Sequence, residues 1–335
     1  MTTSQQTTRR NVSDLKPGER LEDQTFRIAQ KELRTTSNGS LYIHVVLADA
    51  TGEVLGRMWN ASQEYYDAIP EGGFMAFTGR VESYRGKPQF IIDGGRPVDQ
   101  RTFDPSDFLP ATKGDVDAMW QEVKEILRSV RQPDLLALVG KFINDETLAA
   151  GFRRAPAAVA MHHAHLGGLL EHTLSLLRLA RVVCPLYPRV SQDLVLAGIL
   201  LHDIGKVQEL AYSTNFEYTN EGQLIGHITQ AVLSIHDKCA QVSADTGRPF
   251  PPAIEMALKH IILAHHGKYE FGSPRLPATA EALMIHYLDN LDAKLTMMFE
   301  AIDGDPDKQS DWTSFVRALE TKVFKPDVMS DRPTT

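Results

Sequence analysis

Residues 200–206 read LLHDIGK, and the way this stretch ends decides how the second half of the chain is read. Leu200 and Leu201 close an apolar run of helical period, SQDLVLAGILL, which stops at His202 and Asp203 with Gly205 marking a turn just beyond. Neighbours on a helix point about 100° apart, so neither a salt bridge between the two nor a shared face explains the pair. A helix end lets both side chains reach inward to a common cation, His202 to one ion and Asp203 bridging to a second.

The other histidines extend that reading. Of 12 in the chain, 11 lie between His162 and His286, several at or near the ends of apolar stretches such as GGLLEHTLSLLRLARVV, GHITQAVLSIHDKCAQV, PAIEMALKHIILAHH and ATAEALMIHYLDNLDAKLTMMFEAI. A lone histidine in such a place reads as a satisfied core residue. Here they form a series with acids: His172, His202, Asp203, His227, His265, His266 and Asp289. Imidazole and carboxylate together suit a first-row divalent ion such as Mn, Fe, Co or Zn, and the lack of thiolates argues against a structural zinc site. Cys184 and Cys239 show no ligand spacing and read as plain buried thiols.

Upstream, from Glu19 to Pro97, the period changes to that of strands. LYIHVVLAD sets Leu41, Ile43, Val45 and Leu47 against Tyr42, His44 and Val46; VLGRMW, the helical SQEYYDAI, FMAFTGRVESY and, after the turn RGK, PQFIIDG follow. About five strands with a helix between the third and fourth suit a small closed barrel of the oligonucleotide-binding (OB) type, whose exposed strands hold single-stranded nucleic acid. The candidate contacts are Lys31, Arg34, Tyr42, Arg57, Trp59, Tyr84, Arg85, Lys87 and Phe90. The competing reading makes Trp59 and Phe90 barrel core and leaves the cations to solvent.

The expected organisation is a disordered tail over 1–13, an OB-type barrel over 14–98, a Pro/Asp/Gly-bearing linker over 99–114, an all-α domain over 115–324 in which Asp115 caps the first helix, and a disordered tail over 325–335. The net charge of −8 divides unevenly: residues 1–100 carry −1 and the remainder −7. That argues against whole-surface attraction to nucleic acid, although acidic ligands count here without their metals. No apolar stretch approaches the roughly 20 residues needed to span a bilayer, and the start lacks a secretion-type apolar region, so no membrane is expected and the cytoplasm is the expected compartment.

The order His, His-Asp, His, His-His, Asp resembles the HD-domain metal-dependent phosphohydrolases. HHAHLGGLLEHT, LLHDIGK, GHI, AHHGKYEFGSP and EALMIHYLDNLDAKL, following an OB-like pattern, more narrowly resemble the YhaM family of bacterial 3′-to-5′ exoribonucleases. The resemblance runs from about Leu15 to Phe299. It implies an OB domain that grips single-stranded RNA and an HD domain that cleaves it, with single-stranded DNA left open as a further substrate. It carries metal-ligand roles to His172, His202, Asp203, His227, His265 with His266 behind it, and Asp289; Asp292 is the second choice for the last ligand, and otherwise caps or orients. Two divalent ions per chain are expected, manganese first, with cobalt, iron, zinc or magnesium as alternatives. Lys206 is expected to stabilise developing phosphate charge. His162, His163 and His165, ahead of Gly167 and Gly168, are read as substrate-phosphate contacts or leaving-group donors, or as supporting residues; His163 is kept with Asp203 and Lys206 as catalytic. A homo-oligomer is expected as a further partner. The alternatives are a cyclic-dinucleotide phosphodiesterase, which the missing Gly-Tyr-Pro turn opposes, a nucleotide phosphohydrolase, and a non-enzymatic OB-domain RNA-binding scaffold.

Overall fold

A computed structural model describes residues 10–159 and 163–329. They form two compact units, one taking the chain up to Ala111 together with Tyr212–Phe216, the other Thr112–Ala211 and Glu217 onward.

In the first unit β1 (Arg20–Thr35) is long enough to do two jobs, pairing with β4 through its first half and with β2 through its second, with irregularities at Leu21/Gln24 and Ile28/Gln30 that bend it. With β2 (Leu41–Asp49), β3 (Gly52–Trp59), α1 (Gln63–Ala68), β4 (Phe74–Tyr84) and β5 (Lys87–Pro97), it closes a barrel in the order β1-β2-β3-β5-β4. Only β3 and β5 run parallel. The predicted alternation of β2 holds: Ile43, Val45 and Leu47 are buried with Phe26, Ile28, Phe77 and Phe90 in the barrel core.

Both flanks of the barrel are more ordered than their composition suggests. Val12, in a 3₁₀ turn, is buried, and its N–H donates to Asp49 Oδ2 at 2.8 Å, which corrects the expectation that the chain is disordered as far as residue 13. In the segment read as linker, Phe103 and Phe108 close an aromatic cluster with Phe74, ring centroids 5.0–5.1 Å apart.

The second unit begins at α2 (Val116–Leu127), where Asp115 caps Ala118 N–H at 3.0 Å as expected. It continues through α3 (Pro133–Ile143), α4 (Glu146–Arg154), α5 (Gly168–Val183), α6 (Gln192–Leu201), α7 (Lys206–Glu209), α8 (Asn220–Leu224), α9 (His227–Thr246), α10 (Pro252–Ala264) and α11 (Ala280–Gly304). Every residue of α6 from Val195 to Leu201 is buried, the mark of a helix enclosed on all sides. At roughly 1.5–3 kcal/mol for each buried Leu, Ile or Val, this packing holds the end of α6 in one place.

The unit is not purely helical. Two small antiparallel sheets, β6–β7 (Leu210–Ala211 and Glu217–Tyr218) and β8–β9 (Trp312–Val316 and Thr321–Phe324), qualify the all-α expectation. Strands of two to five residues are too short for a period to show. Cys184 and Cys239 are free and buried, and burial pushes the Cys239 thiol up to about 12.

Candidate metal centre and nucleic-acid face

Five helices deliver the predicted ligands to one place. His172 lies in α5, His202 caps α6 with Asp203 next, His227 opens α9, His265 caps α10, and Asp289 faces inward from α11. The turn after Asp203 is tight because Gly205 has no side chain: a Cβ there would stand 2.1 Å from the His227 carbonyl oxygen. Gly267, with φ +77°, likewise lets the His286 ring lie where a Cβ would collide with it at 2.1 Å, and His286 Nδ1 donates to the His265 carbonyl at 2.9 Å.

The hydrogen-bond network assigns the imidazole tautomers. His202 Nδ1–H donates to the Ile199 carbonyl and His265 Nδ1–H to the Ile262 carbonyl, both at 2.7 Å, and His227 Nδ1–H donates to Glu209 Oε1 at 2.9 Å. Each ring therefore turns a bare Nε2 lone pair inward. The Asp203 carboxylate stands among them: Oδ1 is 3.6 Å from both His227 Nε2 and His265 Nε2, beyond hydrogen-bond reach, and Oδ2 is 3.3 Å from His202 Nε2. Asp203 Oδ1 and the three Nε2 atoms are buried with no hydrogen-bond partner. Acceptors aimed at acceptors in a buried site are costly unless a cation lies between them, and an all-nitrogen-and-oxygen set suits a first-row divalent ion.

Charge points the same way. Burial opposes ionisation of Asp203, but Lys206, with Nζ 2.7 Å from Oδ2, holds its carboxyl well below the usual range. Burial would also lower His172, yet Asp289 and Asp292 on either side lift it to about 9, so a cation bound there displaces a proton. His266 is pushed down to about 3 by burial and the neighbouring His265, which leaves it neutral and fit to ligate.

The structure separates Asp289 from Asp292. Asp289 Oδ1 lies 3.3 Å from His172 Nε2, on the ligating side, whereas Asp292 Oδ2 accepts from His172 Nδ1 at 2.8 Å and Oδ1 accepts from Ser175 Oγ. Asp292 therefore orients the ring. Asp292→Asn is expected to weaken divalent-ion affinity about 10- to 100-fold while the fold holds, as read by metal titration.

His163 joins this support and not the cavity wall: its Nε2 lies 3.3 Å from Asp292 Oδ2 and 3.4 Å from Thr296 Oγ1. This corrects its reading as a leaving-group donor. His165 pairs with Glu171 at 2.8 Å, and His162 lies outside the described residues.

A cavity of about 370 Å³ opens on His172, Asp203, His265, His266 and Asp289. Its wall includes Lys206 and, from α11, His286, Asn290 and Lys294, none of the last three foreseen. The signal was present: residues 286, 289, 290, 293, 294 and 297 recur at helical spacing and all line the cavity. Glu209, the carboxylate behind His227, was also missed, and a buried acid six residues past Asp203 is the hint that marks it.

On the barrel the candidates divide. Tyr42 stacks on Trp59 with ring centroids 5.1 Å apart, and the Arg57 guanidinium lies 5.6 Å from the Trp59 ring and 4.9 Å from the Tyr84 ring, which Arg85 also covers at 5.4 Å. Trp59 and Tyr84 are each 44% exposed, so these five make an open surface of rings and cations, with Lys87 paired across the turn from Tyr84. Arg34 is engaged with Glu32 at 2.6 Å. Two candidates are corrected. Phe90 is fully buried against Phe26, and Lys31 donates to the Tyr66 and Ile69 carbonyls at 2.9 and 2.7 Å, satisfying the end of α1.

A helix-end His-Asp pair met by histidines and an aspartate from four further helices defines an HD-domain protein, and the HD domain family model matches residues 169–294. The chain is 33% identical over 303 residues to the 3′-5′ exoribonuclease YhaM of Bacillus subtilis (strain 168), covering 90% of this chain and 93% of the relative. It is 31% identical over 310 residues to the 3′-5′ exoribonuclease YhaM of Halalkalibacterium halodurans, covering 92% and 93%. The chain belongs to the YhaM family. Among solved structures, the second OB-fold domain of replication protein A from Methanococcus maripaludis aligns with 27% of this chain and 95% of its own at 17% identity and a TM-score of 0.23. The strand order, and not that likeness, identifies the barrel. Among the described residues no helix is long and apolar enough to cross a membrane.

Proposed function

We propose that this chain is a metal-dependent 3′-to-5′ exoribonuclease that hydrolyses the phosphodiester bonds of single-stranded RNA with two divalent ions per chain, manganese first among the candidates. The observation that carries the reading is the division at Asp203, whose Oδ2 faces His202 and whose Oδ1 faces His227 and His265. One carboxylate thus lies between two ligand groups, His172 with His202 on one side and His227, His265 and His266 on the other.

Ions held there supply Lewis acidity at the phosphate and an activated water at neutral pH. The chain's own groups then bind and orient. Lys206 is half-buried, and its ammonium on the cavity wall offers charge to a non-bridging oxygen. Glu209 and Asp292 fix the His227 and His172 rings in the tautomers that present Nε2. The barrel grips the strand by stacking and phosphate contacts, without base specificity. Five exposed side chains at four-residue steps on α11, Leu283, Tyr287, Leu291, Leu295 and Phe299, support association between copies of the chain.

The test offers the purified protein an end-labelled RNA oligomer, its DNA counterpart, a cyclic dinucleotide and a deoxynucleotide, each with Mn²⁺. Stepwise shortening of the RNA from its 3′ end is the expected result; turnover of the cyclic dinucleotide or deoxynucleotide alone would replace the reading. For the barrel, a Trp59→Ala, Arg57→Ala double variant is expected to raise KM for long RNA about tenfold or more and to reduce the log–log salt slope by about 0.7. Turnover of a base-free phosphodiester should be unchanged, and equal KM in both proteins would remove this face from the strand's path.

A further inference from the structure

The β8–β9 hairpin lies beyond the residues matched by the HD domain model, and neither the metal site nor the barrel accounts for its surface. Trp312, Phe315 and Phe324 are 50%, 62% and 43% exposed, although Val323 and Thr313 beside them are buried. Register explains the arrangement. Trp312 pairs with Phe324 and Phe315 with Lys322, and an irregularity between Trp312 and Phe315 brings residues three apart onto one face; in a regular strand Phe315 would point inward with Thr313. One outward face therefore carries three rings and a lysine, with the Trp312 and Phe324 rings tilted against each other at 5.1 Å between centroids.

That face is held rigid from beneath. The buried Asp305 accepts Ser314 N–H at 3.1 Å and Asp307 N–H at 2.8 Å and lies 3.7 Å from Lys325 Nζ, while Thr313 Oγ1 accepts Val323 N–H at 2.9 Å. Its position bears on the chemistry: Ala318, in the turn between the strands, is part of the wall of the metal cavity, as are Asn290 and Lys294 of α11. On the hairpin the free charges are Arg317 and Lys322 against Glu320, with Asp311 just ahead of it and Lys325 spent on Asp305 beneath.

We propose that the β8–β9 hairpin is a second nucleic-acid contact, on which bases of single-stranded RNA stack as the strand enters the metal cavity. The inference rests on the exoribonuclease reading and deepens it by assigning the residues that hold the strand beside the chemistry. Rigid aromatic faces among cations match a strand with a π-face at every base and a charge at every phosphate, whereas an apolar contact between subunits has no use for the cations.

The experiment uses the full chain with Mn²⁺ and compares a Trp312→Ala, Phe315→Ala double variant with Phe315→Trp. The substrates are an unstructured RNA oligomer and bis(p-nitrophenyl) phosphate, a phosphodiester without bases; thermal melting and sedimentation are recorded for each protein. The double variant is expected to raise KM on RNA about tenfold or more with turnover of the small diester unchanged, and Phe315→Trp to stay within about twofold of the parent on both. Unchanged KM on RNA, an equal loss on both substrates, or a loss that accompanies a change in sedimentation would overturn the proposal, the last by identifying the hairpin as a subunit contact. If the parent protein itself leaves RNA intact while cutting the small diester, it is the exoribonuclease reading that fails, and the inference falls with it.

Discussion

Asp203→Asn is expected to lower kcat/KM on RNA by about 10³-fold or more, equivalent to about 4 kcal/mol of transition-state stabilisation. The change keeps the volume of the side chain and an acceptor for Lys206, but it removes the charge that the surrounding groups are built around. Both oxygens matter, because Oδ2 is shared by Lys206 and His202 and Oδ1 is the group toward which His227 and His265 turn their lone pairs. An amide replaces one of these acceptors by a donor and brings no charge to balance a divalent ion. The fold should survive, since α6 is held by the apolar residues from Val195 to Leu201 and not by the site at its end. Melting curves that overlay those of the parent, together with lost turnover and lost bound metal, are the expected result. Turnover within tenfold of the parent would sink the assignment of Asp203 as the shared ligand.

How much of this was legible in the sequence differs from residue to residue. That the candidate ligands gather in one place was, because each is a titratable group interrupting or bounding an apolar helix, a place where such a group is costly without a partner. The choice between Asp289 and Asp292 was not, since residues three apart on a helix share a face; it took the two nitrogens of His172 to separate them, Nε2 toward one and Nδ1 toward the other. Phe90 lies in the run Phe-Ile-Ile, which has no alternation to read, because Ile91, although on the opposite face, is buried too. Lys31 has the polar-side position of a ligand-binding cation, and only its reach to the end of α1, distant in sequence, shows it to be structural. Phe103 follows one 3₁₀ turn and Phe108 ends another, with no period of their own, so the segment read as linker although it packs on Phe74. In each case a long-range contact decided what a local pattern left open.

The proposed second ion rests on His227 and His265. A single ion would be satisfied by His172, His202, Asp203 and Asp289, and the other histidines would then be free to meet the substrate. The geometry weighs against that economy. His227 and His265 each spend their Nδ1–H on a protein acceptor, at 2.9 Å on Glu209 and 2.7 Å on the Ile262 carbonyl, so the Nε2 atom that faces Asp203 carries no proton to donate to a phosphate oxygen. Burial also lowers the pKa of His265, which keeps the ring from acquiring that proton. Nε2 lone pairs converging on a carboxylate oxygen suit a ligand set better than an anion-binding set. A His227→Ala, His265→Ala double variant is therefore expected to hold about one ion per chain fewer than the parent and to lose about 10²-fold or more in turnover, the scale of removing one strong electrostatic contact to the transition state. Metal analysis of both proteins after identical loading and desalting checks it. Equal metal content with a raised KM would return these histidines to the substrate and remove the second ion from the mechanism.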